Sequence, residues 1–158
     1  MATATFACGC FWSKQYFFDQ LKGVTATRVG FTGGHVPEVT YREVCTKTTG
    51  HAEAVEVTYD PAILSYADLL EAFFGMHDAR IDRRDKGGQY RSAIFVHTEL
   101  HREQALAHIE KLKTAGISVS TTIEPAGPFW AADARHQGYC EVRGIMPQPK
   151  GRTGTRPD

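Results

Sequence analysis

Ala52–Tyr59 (AEAVEVTY) alternates with period two, and no other segment restricts the fold of the chain as tightly. It reads as a strand with Ala52, Ala54, Val55 and Val57 in or near a core and Glu56 toward water. Glu53, at its start, reads as out of phase with Val55 and Val57 and so as a solvated carboxylate. Flanking segments supply partners. Thr3–Ala7 (TATFA) and Val24–Phe31 (VTATRVGF) are β-prone, the second broken by Gly33-Gly34, and Ser92–His97 (SAIFVH) is another strand. Helical spacing appears at Phe11–Leu21, through Phe11, Trp12, Tyr16, Phe17 and Leu21. Ser65 to Met76 follows the same period, with Ser65 as N-cap and Leu69, Leu70, Phe73 and Phe74 as the buried stripe. Glu99–Ala115 reads as a helix buried through Ala105, Leu106, Ile109 and Leu112. His35–Gly50 has no clear period and reads mostly as loop, whereas Ser118–Glu124 is β-prone.

The resulting order, strand–helix–strand–strand–helix–strand with one more helix and strand, is that of a split βαβ, or ferredoxin-like, core. The expected class is α+β: one domain over residues 1–146, a mixed sheet and helices packed on it. From Pro147 onward Pro, Gly, Arg and Thr dominate, which predicts a disordered tail over 147–158. A length of 158 residues suits one domain. Eighteen Lys plus Arg balance eighteen Asp plus Glu, so no charge footprint points to nucleic acid or to an anionic membrane. No apolar run approaches the roughly 20 residues that span a bilayer, and Met1–Cys10 lacks the pattern of a secretory signal. The cysteines, at 8, 10, 45 and 140, do not form a secreted disulfide framework; a reducing, cytoplasmic setting is expected.

Cys10 is the first candidate for chemistry. It follows Gly9 at a strand-to-helix junction, where unpaired N–H groups and the helix dipole favour a thiolate and predict a lowered pKa. A small buried core residue suits the same position. Tyr41-Arg42-Glu43-Val44-Cys45 and Gly50-His51-Ala52-Glu53 gather polar groups beside the clearest strand. Asp85 to Ser92 packs charge, two glycines and Tyr90 into a loop, which fits close approach to a ligand or an ordinary turn. Cys8 and Cys10 form C-x-C rather than C-x-x-C, and the histidines show no H-E-x-x-H, so no metal site is expected.

Together these segments resemble the methionine sulfoxide reductase A family, the peptide-methionine (S)-S-oxide reductases. The pieces are Gly9-Cys10-Phe11-Trp12, Gly33-Gly34, Thr40 to Cys45, Thr49 to Val55, Tyr59-Asp60-Pro61, His77-Asp78, Gln89 to Ile94, Pro128-Phe129 and His136-Gln137, in the family's order over about residues 3 to 140. The resemblance implies that Cys10 attacks the sulfur of methionine S-sulfoxide, free or in proteins, and leaves as a sulfenic acid. It implies that Glu53, kept protonated by desolvation, gives a proton to the oxygen. Tyr41 and Tyr90 would hydrogen-bond that oxygen, Asp85 would support the site, and Phe11 and Trp12 would hold the S-methyl group. No cofactor is implied. Recycling takes one of two routes: Cys140 resolves the sulfenic acid and a thioredoxin-like reductant opens the disulfide, or an external thiol acts directly. Cys8 is a third, strained option for the disulfide, and Cys45 is expected in the core. Ser13, Gln15 and Asp133 stand where the family usually has Gly, Glu and Glu. Ser13 and Gln15, with the unusual placing of Cys140, leave a non-catalytic thiol redox sensor as the alternative function.

Overall fold

The computed structural model describes residues 1–148, together with all side chains there except that of Lys86. Most of the tail expected over 147–158 therefore lies outside the described residues. The elements are β1 (Ala2–Cys8), α1 (Phe11–Asp19), β2 (Val24–Thr32), α2 (Tyr41–Cys45), β3 (Ala52–Tyr59), α3 (Tyr66–Gly75), β4 (Ser92–Val96), α4 (Glu99–Thr114), β5 (Thr122–Pro125), β6 (Trp130–Ala131) and α5 (Tyr139–Val142). They build one mixed sheet in the order β5-β4-β1-β3-β2-β6. β3 lies antiparallel between β1 and β2, β4 runs antiparallel to β1, and β5 joins β4 in parallel after the α4 crossover. The four central strands and α1 and α3 are thus the expected split βαβ unit.

Strand alternation divides the core into two unequal layers. Ala4, Phe6, Val29, Val55, Val57 and Ile94 face the helices, and Phe6 stacks on Phe18 of α1 at 5.3 Å and on Phe73 of α3 at 5.2 Å. The other face is small: Ala7, Ala52, Ala54 and Ala93, with Phe95, lie under Ala126 and Phe129. Alanines let the irregular chain after β5 cross that face closely. It then pairs as β6 with β2 and returns to the helix side, where α5 packs on α1. At the crossing, a Cβ on Gly30 would meet the Trp130 carbonyl at 2.5 Å, so only glycine fits.

Several elements depart from expectation. The segment over 35–50 contains α2, five residues long, closed by a capping box in which Thr40 Oγ1 accepts from Glu43 N–H and the Glu43 carboxylate accepts from Thr40 N–H. Along α1 the deeply buried positions are Phe11, Lys14, Gln15 and Phe18; Trp12 and Phe17 are only partly covered. On α4, Ala105 and Ile109 face the core, while Leu106, one residue around the helix, is 50% exposed. The α3 helix starts as expected, with Ser65 Oγ accepting from Asp68 N–H. Leu69, fully buried between the aromatic residues of this layer, sets the scale of the packing energy. Leu69→Ala is expected to destabilise the chain by about 2–5 kcal/mol through lost burial and the cavity left behind. Urea unfolding checks this as a lower midpoint at unchanged slope.

Candidate active site

β1 ends at Cys8, and Gly9 turns the chain at φ +107, a left-handed conformation that favours glycine. Cys10 is therefore the N-cap of α1, with φ −60 and ψ 124, and the N–H groups of Trp12 and Ser13 face its sulfur. Burial pushes the thiol pKa up by more than these N–H groups and the Lys14 ammonium pull it down, and nearby Glu53 adds to the rise. The lowered pKa expected from the helix terminus is thus corrected: desolvation of the thiolate outweighs the helix N–H groups.

Glu53 is also placed differently from the expectation. Positions 53, 55 and 57 alternate onto one face, so its side chain enters the helix-side core and is 1% exposed. Its cross-strand partner is Phe31. One carboxyl oxygen, Oε1, accepts from Phe11 N–H at 3.2 Å; the other, Oε2, accepts from Gln89 Nε2 at 2.6 Å. The Gln89 amide is oriented in turn by Lys47 Nζ, which donates to its Oε1 at 2.9 Å. Burial raises the carboxyl pKa against the pull of Gln89, Phe11 and Lys47. Each oxygen keeps a second lone pair, so the group can hold a proton without losing either N–H bond.

Tyr41, first residue of α2, lies half-buried against Phe11 and Trp12, with ring centroids 6.2 Å from each. Burial, followed by Glu53, raises its pKa. The same two causes, in that order, push Tyr90 up to about 12. Both phenols therefore remain O–H donors at neutral pH. Tyr90 and Cys10 share a cavity of about 220 Å³. Asp85 is exposed and lines an adjoining cavity with Lys47 and Gln89, beyond Tyr90 and away from the thiol.

The aromatic pair after Cys10 is largely covered. Phe11 is 1% exposed. Trp12 stacks on Tyr139 at 3.8 Å, and its indole N–H donates to His136 Nδ1 at 3.0 Å. His136 stacks on Tyr41 at 4.3 Å, while Arg143 lies 3.8 Å over the Tyr139 ring. Cys140 belongs to this same C-terminal cover: it is buried on α5 and does not line the cavity that holds Cys10. All four cysteines are free thiols. Cys8 is buried and lines the Cys10 cavity; Cys45, expected in the core, is exposed at the end of α2. Among the described residues no group of three or more His, Cys, Asp or Glu could hold a metal ion, and no helix is long and apolar enough to cross a membrane.

Sequence reasoning missed Gln89, Lys47, His136 and Tyr139 as shapers of the site. Gln89 and His136 fall inside quoted motifs, and Tyr139 stands in the Gly138-Tyr139-Cys140 run at the candidate resolving cysteine; Lys47, held at φ +65, carries no signal short of the tertiary packing.

A family model described as peptide methionine sulfoxide reductase matches residues 2–148. The peptide methionine sulfoxide reductase MsrA of Methanosarcina acetivorans is 47% identical over 149 residues, covering 90% of this chain and 79% of that protein. The protein of the same name from Methanoculleus marisnigri is 48% identical over 147 residues, with 89% and 90% covered. Among solved structures, reduced Mxr1 from Saccharomyces cerevisiae superposes with a TM-score of 0.85 at 29% identity, covering 96% of this chain and 92% of that one. Mxr1 in complex with Trx2 gives 0.63 at 25% identity, covering 96% and 89%.

Proposed function

The chain belongs to the peptide methionine sulfoxide reductase family and reduces methionine sulfoxide to methionine; from that premise we propose that Cys10, Glu53, Tyr41 and Tyr90 carry the reaction. The observation that supports this most directly is the Glu53 carboxyl, 1% exposed and anchored on the N–H of the residue after Cys10. The Cys10 thiolate attacks the sulfoxide sulfur of the S-epimer while Glu53 and the two phenols meet the oxygen, where negative charge grows. Oxygen passes from the methionine sulfur to Cys10. The thioether leaves as methionine, Cys10 becomes a sulfenic acid, and its sulfur has given up two electrons. Trp12, only partly covered, offers an apolar wall for the S-methyl group, with Phe11 packed behind it. Asp85 supports the rim from the far side of Tyr90.

In the resolving step the Cys140 thiolate attacks the Cys10 sulfenic acid, forming a disulfide and releasing water. Cys140 is buried on α5, so this step needs the segment over 136–143 to leave Trp12. A dithiol protein of the thioredoxin type then takes over the disulfide, a reading supported by the complex of the yeast relative with Trx2. The catalytic unit is residues 1–146, which contain every one of these groups. Four free thiols fit a reducing, cytoplasmic setting. The relatives are named as reductases, and nothing favours the sensor reading.

A single turnover without external reductant tests the whole sequence. Reduced protein mixed with excess methionine S-sulfoxide should release one methionine per chain and lose two thiols, and Cys140→Ser should release the same methionine while losing one. Loss of a single thiol by the unmodified chain would assign recycling to an external thiol. Release of no methionine would overturn the reductase assignment.

A further inference from the structure

Two cations close over Gly9, the residue before Cys10, and among the described residues no carboxylate forms an ion pair with either. Lys14 lies on the buried face of α1 and is 5% exposed, and among the described residues the one hydrogen bond of its ammonium is to Ser13 Oγ at 3.5 Å. Arg83 arrives from the loop between α3 and β4. A Cβ placed on Gly9 would lie 3.3 Å from Arg83 Nη1 and 3.9 Å from Lys14 Nζ, so both heads converge on one point of the cavity wall. Nearby arginines are already paired: Arg80 with Asp78 at 2.8 Å, Arg84 with Asp82 at 2.6 Å, and Arg91 with Glu124 at 3.0 Å. Among the described residues no ion pair uses Lys14 or Arg83.

Other charges around the cavity do not fill the gap. Asp78 reaches its wall but is held by two hydrogen bonds to the Arg80 side chain. His77 is buried between the Phe73 carbonyl and Ser92 Oγ and is neutral, its pKa drawn down to about 4 by desolvation. Asp85 lines the adjoining cavity, which Arg83 also borders with its guanidinium 5.2 Å over the Tyr90 ring, yet among the described residues no ion pair joins Asp85 to Arg83. Burying an ammonium without a partner is unfavourable, so a site of this kind is complete only when an anion enters. Lys supplies a point charge, and Arg a planar fork that matches a carboxylate.

We propose that Lys14 and Arg83 form a carboxylate subsite beside Cys10 that takes an acidic group carried by the sulfoxide substrate. The group is the side chain of an acidic residue flanking the methionine sulfoxide, or the α-carboxylate of the free amino acid. The subsite rests on the reductase reading and deepens it: Cys10 reduces any accessible methionine S-sulfoxide, and this pair selects those bearing negative charge. It also assigns a purpose to a buried lysine on the second turn of α1, where an apolar side chain would satisfy packing alone.

The test compares kcat/KM, with a small dithiol as reductant, on four probes. These are blocked dipeptide amides carrying Glu or Gln next to methionine S-sulfoxide, free methionine S-sulfoxide, and its N-acetyl N-methylamide. The unmodified chain should prefer Glu over Gln, the free amino acid over the blocked amide, or both. Lys14→Met and Arg83→Met should each cut that preference about tenfold, mainly through KM, the scale of one charged hydrogen bond. A fall confined to the Glu/Gln ratio assigns the subsite to a flanking side chain; one confined to the free amino acid assigns it to the α-carboxylate. Equal losses on charged and neutral probes in both variants would overturn the subsite and give the cations to the thiol instead. Absence of any preference in the unmodified chain would also overturn it. Failure of all four probes would overturn the reductase reading, and the subsite with it. Arg83 is exposed on a loop, so its variant reads out even where a change inside α1 disturbs folding.

Discussion

Cys10→Ser is expected to abolish methionine release, with a rate loss on the order of 10⁶, the scale seen when a nucleophile is removed from a group of residues that act as a unit. The substitution is mild for the fold. A serine hydroxyl at the N-cap accepts from helix N–H groups at least as well as a thiol, and serine is among the preferred caps. Stability should stay within about 1 kcal/mol of the parent, so lost activity cannot be blamed on unfolding. The chemistry is another matter. A hydroxyl next to a buried acid has no base to ionise it, and oxygen cannot accept the sulfoxide oxygen as sulfur does. Methionine release per chain in a single turnover, read beside a thermal melt, decides the point. A Cys10→Ser protein that still forms methionine would remove Cys10 from the reaction.

The parts of this site that could be read in the sequence are those set by local geometry. Gly9-Cys10 marks a strand-to-helix turn, and the helix N-terminus follows from it. The period-two run over Ala52–Tyr59 places β3 at the centre of the sheet. What the local pattern could not supply is the balance of burial. The helix terminus favours a Cys10 thiolate, but the covering residues, among them Glu53, belong to distant segments and reverse the sign. Glu53 itself was legible: positions 53, 55 and 57 share a parity, and the apolar neighbours at 52 and 54 obscured it because the far face is also buried, under Phe129. Lys14 and Gln15 fall on the i+3 and i+4 positions from Phe11, so the buried face of α1 was available from spacing, but their polarity argued against it. β6 and α5 are two and four residues long, and they exist through tertiary contacts such as Trp12 on Tyr139 rather than through any periodicity. The short α2 had one usable signal, the Thr40…Glu43 capping box.

Glu53→Gln should lower the single-turnover rate by about 10²–10⁴-fold, the range for a positioned general acid, and should change the shape of its pH profile. The reacting state pairs a Cys10 thiolate with a protonated Glu53. Raising pH fills the first and empties the second, so the parent profile is a bell. Both groups sit above their ordinary values because burial penalises the charged form of each, which moves the bell upward in pH. With Gln at 53 only the thiol titrates, and the residual rate should climb monotonically with pH and then level off. The amide keeps the volume of the carboxyl but not its two acceptors. Its NH₂ must face either Phe11 N–H or the Gln89 Nε2, and Lys47 prevents the Gln89 amide from turning over freely. One unsatisfied buried donor costs about 1–3 kcal/mol, so a modest stability loss accompanies the kinetic one. Alkylation of Cys10 by iodoacetamide separates the two effects. Above the pH at which Glu53 ionises it should become easier in the variant, since the Coulombic repulsion from the carboxylate is gone, while methionine release falls. A variant that retains the bell would transfer the acid role to another group in contact with the oxygen, with Tyr41 and Tyr90 the two available.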